Sequence, residues 1–176
     1  DILAQAKRIF EDFSISAITI GLIGDHQIAL CIEMILKEHP EIPVILDPVL
    51  AAGGGTLLSD NKLLEVIVNS LLPLTTIAIP NSNEARKLAA KDNLDNCGLT
   101  LLNKGCEYVL ITGTHEDTTN VANQLYHQNK CMETFNWDRL PASYHGSGCT
   151  LASSTAALIA HGLEPFTAIL EAQEFT

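Results

Sequence analysis

The sequence predicts an α/β fold, a mostly parallel sheet covered by helices on both faces. Three observations carry that expectation. Short apolar runs at 15–22, 44–46, 75–79 and 108–112 alternate with longer stretches of helical periodicity. The runs are apolar throughout rather than at every second residue, as in parallel strands buried on both sides. Polar and glycine-rich clusters follow the ends of these runs, the rim where such sheets bind ligands.

Each element follows from its residues. The start, 1–13, is an amphipathic helix; it lacks the charged beginning and apolar centre of a signal peptide. A strand at 15–22 leads into Gly21-Leu22-Ile23-Gly24, and Asp25 is placed to cap a helix with Ile28, Ile32 and Ile35 on one face. Pro40 and Pro43 end that helix, and Val44-Ile45-Leu46 forms a strand that stops at Asp47-Pro48. A Gly53-Gly54-Gly55 loop precedes a helix burying Leu63, Leu64, Ile67, Val68 and Leu71. Then come a strand at 75–79 closed by Pro80, helices over 83–91 and 95–103, and a strand at 108–112 ending at Gly113. Two antiparallel strands, 118–127 and 131–137, flank the polar turn His127-Gln128-Asn129-Lys130. Helices at 148–162 and 165–175 finish the sequence. With no internal repeat or linker, residues 1–176 read as one domain.

Composition excludes several classes. The chain has 176 residues, is 47% hydrophobic and carries a net charge of −11. That charge argues against a nucleic-acid surface, which needs clustered lysine and arginine. No apolar run is long enough to span a bilayer. Five widely spaced cysteines without a C-x-x-C pair point to a reducing, cytoplasmic setting rather than disulfides or zinc. Cys31, Cys97, Cys106 and Cys131 are expected in or near the core, and His26, His39, His127 and His161 at the surface or at caps.

The segment His145-Gly146-Ser147-Gly148-Cys149-Thr150, running directly into a helix, is the most informative. Glycine permits close approach to the backbone, and the N–H groups and dipole of a helix start attract an anion. Cys149 sits at the mouth of that cradle, where a helix N-terminus is expected to lower its thiol pKa; without the glycines a small buried residue is the more ordinary reading. The i, i+4 pair His145 and Cys149 has no further cluster to make a metal site. Asn81 and Glu84 fit a helix capping box equally with a carboxylate near hydrated Mg²⁺. Asp47 fits a strand-ending turn or a second acidic group, and Thr112-Gly113 a turn or a phosphate loop.

The ordered set Gly21-Leu22-Ile23-Gly24-Asp25, Asp47-Pro48-Val49-Leu50, Asn81-Ser82-Asn83-Glu84, 109–115 and 145–153 resembles the ribokinase-like superfamily over the whole chain. Within it the sequence is similar to the hydroxymethylpyrimidine and phosphomethylpyrimidine kinases, because Cys149 stands where most ribokinase relatives carry aspartate. The resemblance implies a three-layer α/β/α kinase domain using ATP and Mg²⁺ on a pyrimidine of thiamine biosynthesis. It implies an anion hole from Gly146, Ser147, Gly148 and Cys149, with Cys149 as base toward the substrate hydroxyl. It implies that Asn81, Thr112 and Gly113 border the nucleotide, Glu84 and Asp47 the metal, and Gly21 and Leu22, with Cys149, the pyrimidine. A homodimer is compatible with it. The family's opening strand and substrate loop have no counterpart, so the chain is expected to begin about a third of the way into the fold. Thr112, where lysine is frequent, and Gly53, where a polar residue is usual, depart from the pattern. A pyridoxal kinase of the same superfamily and a ligand-binding module without turnover are the alternative expectations. A cysteine-dependent hydrolase lacks a His/Asp partner set beyond His145.

Overall fold

The computed structural model describes residues 2–50, 61–142, 144 and 146–176; the expected glycine loop 53–55 and His145 lie outside the described residues. Helix α1 (Ile2–Asp12) stacks Phe10 on His39, with ring centroids 3.8 Å apart. Strand β1 (Ile18–Ile20) leads to α2 (His26–Glu38), where the Asp25 carboxylate accepts from Ile28 N at 2.9 Å as expected of a cap. The buried face of α2 centres on Ala29 and Leu36, with Ile28 and Ile32 packed against it. Ile35 is rotated off this face into the groove beside α1, a small correction to the expected stripe.

Strand β2 (Val44–Leu46) is wholly buried. Helix α3 (Asn61–Val66) widens to a π turn over Ile67–Leu71 and tightens to a 3₁₀ turn over Leu72–Leu74. Strand β3 (Ile77–Ala78) is shorter than the 75–79 run. Pro80 has no N–H to extend the ladder, and the Thr75 hydroxyl is drawn back to Leu71 O at 2.8 Å. Helices α4 (Ser82–Ala89) and α5 (Leu94–Asn103) precede β4 (Tyr108–Ile111). Strands β5 (Asn120–His127) and β6 (Lys130–Asp138) form a hairpin around Gln128 and Asn129, whose φ values of 50° and 58° match a two-residue primed turn. Helices α6 (Ser147–Ala160) and α7 (Pro165–Phe175) close the described chain.

The sheet order is β1-β2-β3-β4-β5-β6; β1 to β4 pair in parallel, and β5 and β6 are added antiparallel. Alternation along the buried strands divides the core into two layers. Val44, Leu46, Ala78, Val109, Ile111 and Tyr126 face the layer that includes Ala29, Leu63, Ala85 and Leu101. Ile45, Ile77, Leu110 and Leu125 face the other, with Leu151, Ala152, Ala156, Ile169 and Ala172 from α6 and α7. This is the three-layer arrangement expected. Cys97 and Cys106 are buried, but Cys131 is exposed, contrary to expectation, because β6 is the outer strand of the hairpin. Among the described residues, no helix is long and apolar enough to cross a membrane.

Candidate functional site

Strand pairing continues past the last strand residues and draws the loops together. Asp47 N donates to Ile20 O at 2.8 Å, Ile79 N to Leu46 O at 2.8 Å, and Ser82 N to Thr112 O at 2.9 Å. Asp47 is thereby set beside Gly21, and Asn81 forms a bridge with Thr112. Gly21 and Leu22 lie exposed on this rim, Leu22 with 59% of its surface open.

Helix α4 starts with a complete capping box. The Asn81 side chain accepts from Glu84 N at 2.9 Å, and the Glu84 carboxylate accepts from Asn81 N at 2.9 Å and from Leu50 N at 3.3 Å. The helix-start reading of these residues is therefore present in full. It leaves lone pairs on both Glu84 oxygens. Glu84 and Asp47 are 8% and 7% exposed. Burial pushes both carboxyls above the ordinary range, and the charge of Asp47 pushes Glu84 further, against the pull of the Asn81 and Leu50 amides. No lysine or arginine pairs with either carboxylate among the described residues. Two buried carboxylates without a cationic partner fit a hydrated Mg²⁺, which takes one or two carboxylates and completes its shell with water and phosphate. Among the described residues, no group of three or more His, Cys, Asp or Glu is arranged for a metal.

Helix α6 starts differently. Gly146, its N-cap, has φ of 90°, and among the described residues no side chain caps the helix. Its first turn contains no acidic residue. A Cβ at Gly148 would meet nothing within 4 Å, and 146–149 are all exposed. The Ser147 hydroxyl donates to Tyr144 O at 3.3 Å, and Thr150 returns both N and Oγ1 to Gly146 O, at 2.8 and 2.9 Å.

Cys149 joins the two starts, since its thiol lies within electrostatic reach of the Asp47 and Glu84 carboxylates. The sequence expectation of a lowered thiol pKa is overturned. Desolvation raises it first, followed by the Asp47 carboxylate and then the negative charge of Glu84; only its own backbone N–H pulls downward. Desolvation together with two buried carboxylates raises the thiol where a helix N-terminus alone would lower it.

Gly113 serves the fold as well as the rim. A Cβ there would collide with Ala122 O on β5. Its N–H donates to Asn123 Oδ1 at 3.1 Å, and Asn123 Nδ2 donates to Gln173 Oε1 at 2.9 Å, an oxygen that also accepts from Trp137 Nε1 at 3.2 Å. This amide is thus engaged within the protein. Sequence reasoning missed Asn123, Gln173 and Trp137; the signal available was a polar residue at an inward position of β5.

A model of the phosphomethylpyrimidine kinase family matches residues 1–176. The chain belongs to that family. It is 30% identical to the hydroxymethylpyrimidine/phosphomethylpyrimidine kinase of Staphylococcus aureus strain MSSA476, covering 97% of this chain and 64% of the relative. The chain therefore spans just under two thirds of that relative's length. The crystal structure of phosphomethylpyrimidine kinase from Clostridium difficile superposes with a TM-score of 0.83 at 27% identity, over 99% of this chain and 73% of that one. The ADP complex of Bacillus subtilis pyridoxal kinase superposes with a TM-score of 0.87 at 26% identity, over 99% and 67%. The fold is that of the ribokinase-like vitamin kinases, as the order of the rim segments led one to expect.

Proposed function

We propose that residues 1–176 form the phosphate-handling part of one kinase domain that transfers the γ-phosphoryl group of ATP to 4-amino-5-hydroxymethyl-2-methylpyrimidine, its monophosphate, or both. The observation that carries this reading is the convergence of Cys149, Asp47 and Glu84 at the uncapped start of α6. Family membership and the ADP bound by the pyridoxal kinase relative support ATP as donor.

In the reaction the substrate hydroxyl oxygen bonds to the γ-phosphorus, the bond from phosphorus to the ADP oxygen breaks, and the hydroxyl proton leaves. Such transfers depend on positioning and charge stabilisation more than on covalent help. The N–H groups at Gly146, Ser147, Gly148 and Cys149 hold negative charge as it develops on the transferring group. Asp47 and Glu84 would hold Mg²⁺, which would supply charge neutralisation on the phosphates. Asn81, Thr112 and Gly113 border the nucleotide by position, with the Gly113 amide facing inward. Gly21 and Leu22 border the pyrimidine. Cys149 accepts the hydroxyl proton after its thiol has given its own proton to solvent, and its raised pKa makes the thiolate the stronger acceptor.

A second reading, phosphorylation of pyridoxal, is favoured by the fit to pyridoxal kinase. ADP release measured with each substrate separates the two. Pyrimidine-dependent release exceeding that with pyridoxal by about tenfold in kcat/KM is the expected outcome. The reverse ratio moves the chain to the pyridoxal branch, and calorimetric binding of ATP without ADP release moves it to a non-catalytic module.

A further inference from the structure

The turn over 114–118, directly after Thr112-Gly113, is fastened from two sides through one residue. The Glu116 carboxylate takes a bidentate pair from Arg86 on α4, Nη1 to Oε1 at 2.7 Å and Nη2 to Oε2 at 2.8 Å. This pairing holds the Glu116 carboxyl down at about 2. On the main-chain side, Arg139 spreads its fork over the same turn. Its Nη1 donates to Thr114 O at 2.8 Å, its Nη2 to Glu116 O at 2.8 Å, and its Nε to Thr118 O at 2.9 Å, with a longer contact from Nη2 to Thr118 Oγ1 at 3.4 Å. Arg139 takes part in no ion pair among the described residues. Its whole charge is set against the carbonyls of a single turn.

The positions of the two arginines give this chain of contacts its meaning. Arg86 lies one turn into the helix that starts with Asn81 and Glu84. Arg139 directly follows β6, on the segment that runs to Gly146 and the start of α6. The Arg86–Glu116–Arg139 chain therefore ties α4 to the end of β6, with the turn beside Thr112 between them. A planar guanidinium can hold several acceptors in a fixed relation, which an ammonium on a flexible stem cannot.

We infer that Arg139 is a positioning residue for the nucleotide: it holds the 114–118 turn against the end of β6 in the place that the ATP phosphates require beside Thr112 and Gly113. The inference rests on the kinase reading. It concerns ATP and not the acceptor, since the acceptor side of the rim, Gly21 and Leu22, lies at the far end of the strand order from β4.

The test uses the full kinase chain with Arg139→Ala, Arg139→Lys and Glu116→Gln, read by steady-state kinetics in each substrate and by amide hydrogen exchange over 114–118. Arg139→Ala raises the KM for ATP about tenfold, close to the loss of one charge-assisted contact set, and leaves the pyrimidine KM within about twofold. Arg139→Lys recovers about half of that change on a logarithmic scale, because lysine keeps the charge and loses the fork. Glu116→Gln raises the ATP KM about threefold, since the main-chain half of the strap remains. Exchange over 114–118 speeds up in all three variants. An ATP KM within twofold of wild type in Arg139→Ala, or an equal rise in both KM values, overturns the inference while leaving the kinase reading intact. A wild-type chain that neither binds ATP nor releases ADP removes the kinase reading, and the inference with it.

Discussion

Helices α4 and α6 both begin on the rim formed by the parallel strands, and they begin in opposite ways. The start of α4 is closed by Asn81 and Glu84, each side chain answering the other's backbone N–H. The start of α6 has a left-handed glycine and, among the described residues, no side-chain cap and no acidic residue in its first turn. A helix start has N–H groups that must find acceptors. Where the chain supplies them, as at α4, the start is a structural joint; where it does not, as at α6, an anion can supply them. The carboxylates of Asp47 and Glu84 and the thiol of Cys149 stand between these two starts, so one side of the site presents buried negative charge and the other presents backbone donors.

The sharpest way to break this contrast is at the sulfur that links the two sides. Cys149→Ala is expected to lower turnover about 100-fold, in the range of a lost general base, and to leave the ATP KM within about twofold. Steady-state kinetics checks it, and unchanged turnover takes the base role from Cys149. The pH profile sharpens the same point. With the thiol pKa raised, the thiolate fraction grows only as pH climbs, so log kcat/KM should still be rising above about pH 8.5, the ordinary thiol value. A plateau reached near neutrality means the helix start governs Cys149 after all.

The next effect comes from giving α6 the acid it lacks. Gly148→Asp puts a carboxylate into the first turn, where open space receives it. It should stabilise the helix by about 0.5 kcal/mol through the dipole. It should weaken ATP binding about 100-fold, because a like charge beside phosphate costs several kcal/mol. Thermal denaturation and calorimetric ATP titration read the two signs separately; undiminished binding means the phosphates sit elsewhere. The smallest effect is at the closed start. Asn81→Ala removes half the capping box at about 1 kcal/mol, a fall in Tm of about 3 °C for a chain of this size. A fall in activity without a fall in Tm would show that Asn81 serves the nucleotide rather than the helix.

Much of this was legible in the sequence. Buried strands such as Val44-Ile45-Leu46 announce themselves by continuous apolar character, and Asp25 and Asn81 cap the helices their positions suggest. The glycines and cysteine of 146–149 marked the open helix start because both features are local. What stayed hidden depends on long-range approach. The direction of the Cys149 shift is set by desolvation first and then by Asp47, both of which arise only when α6 packs across the sheet. Gly113 resembles a phosphate-loop glycine, yet the carbonyl of Ala122 on a neighbouring strand is enough to require it. Arg139 gave no sign, since its acceptors are main-chain carbonyls, which no residue pattern encodes.

The hairpin of β5 and β6 has a consequence of parity. A chain leaving β4 stands at the rim; one antiparallel strand carries it to the opposite end of the sheet, and a second brings it back. Two reversals, an even number, are what return the backbone to the side it left, with no covering helix in between. Only then can a helix begun there point its amino end at the ligands of the first four strands and run down the uncovered face. With one reversal fewer, the same Gly-Ser-Gly-Cys string would open on the far side of the molecule, facing nothing it could act on.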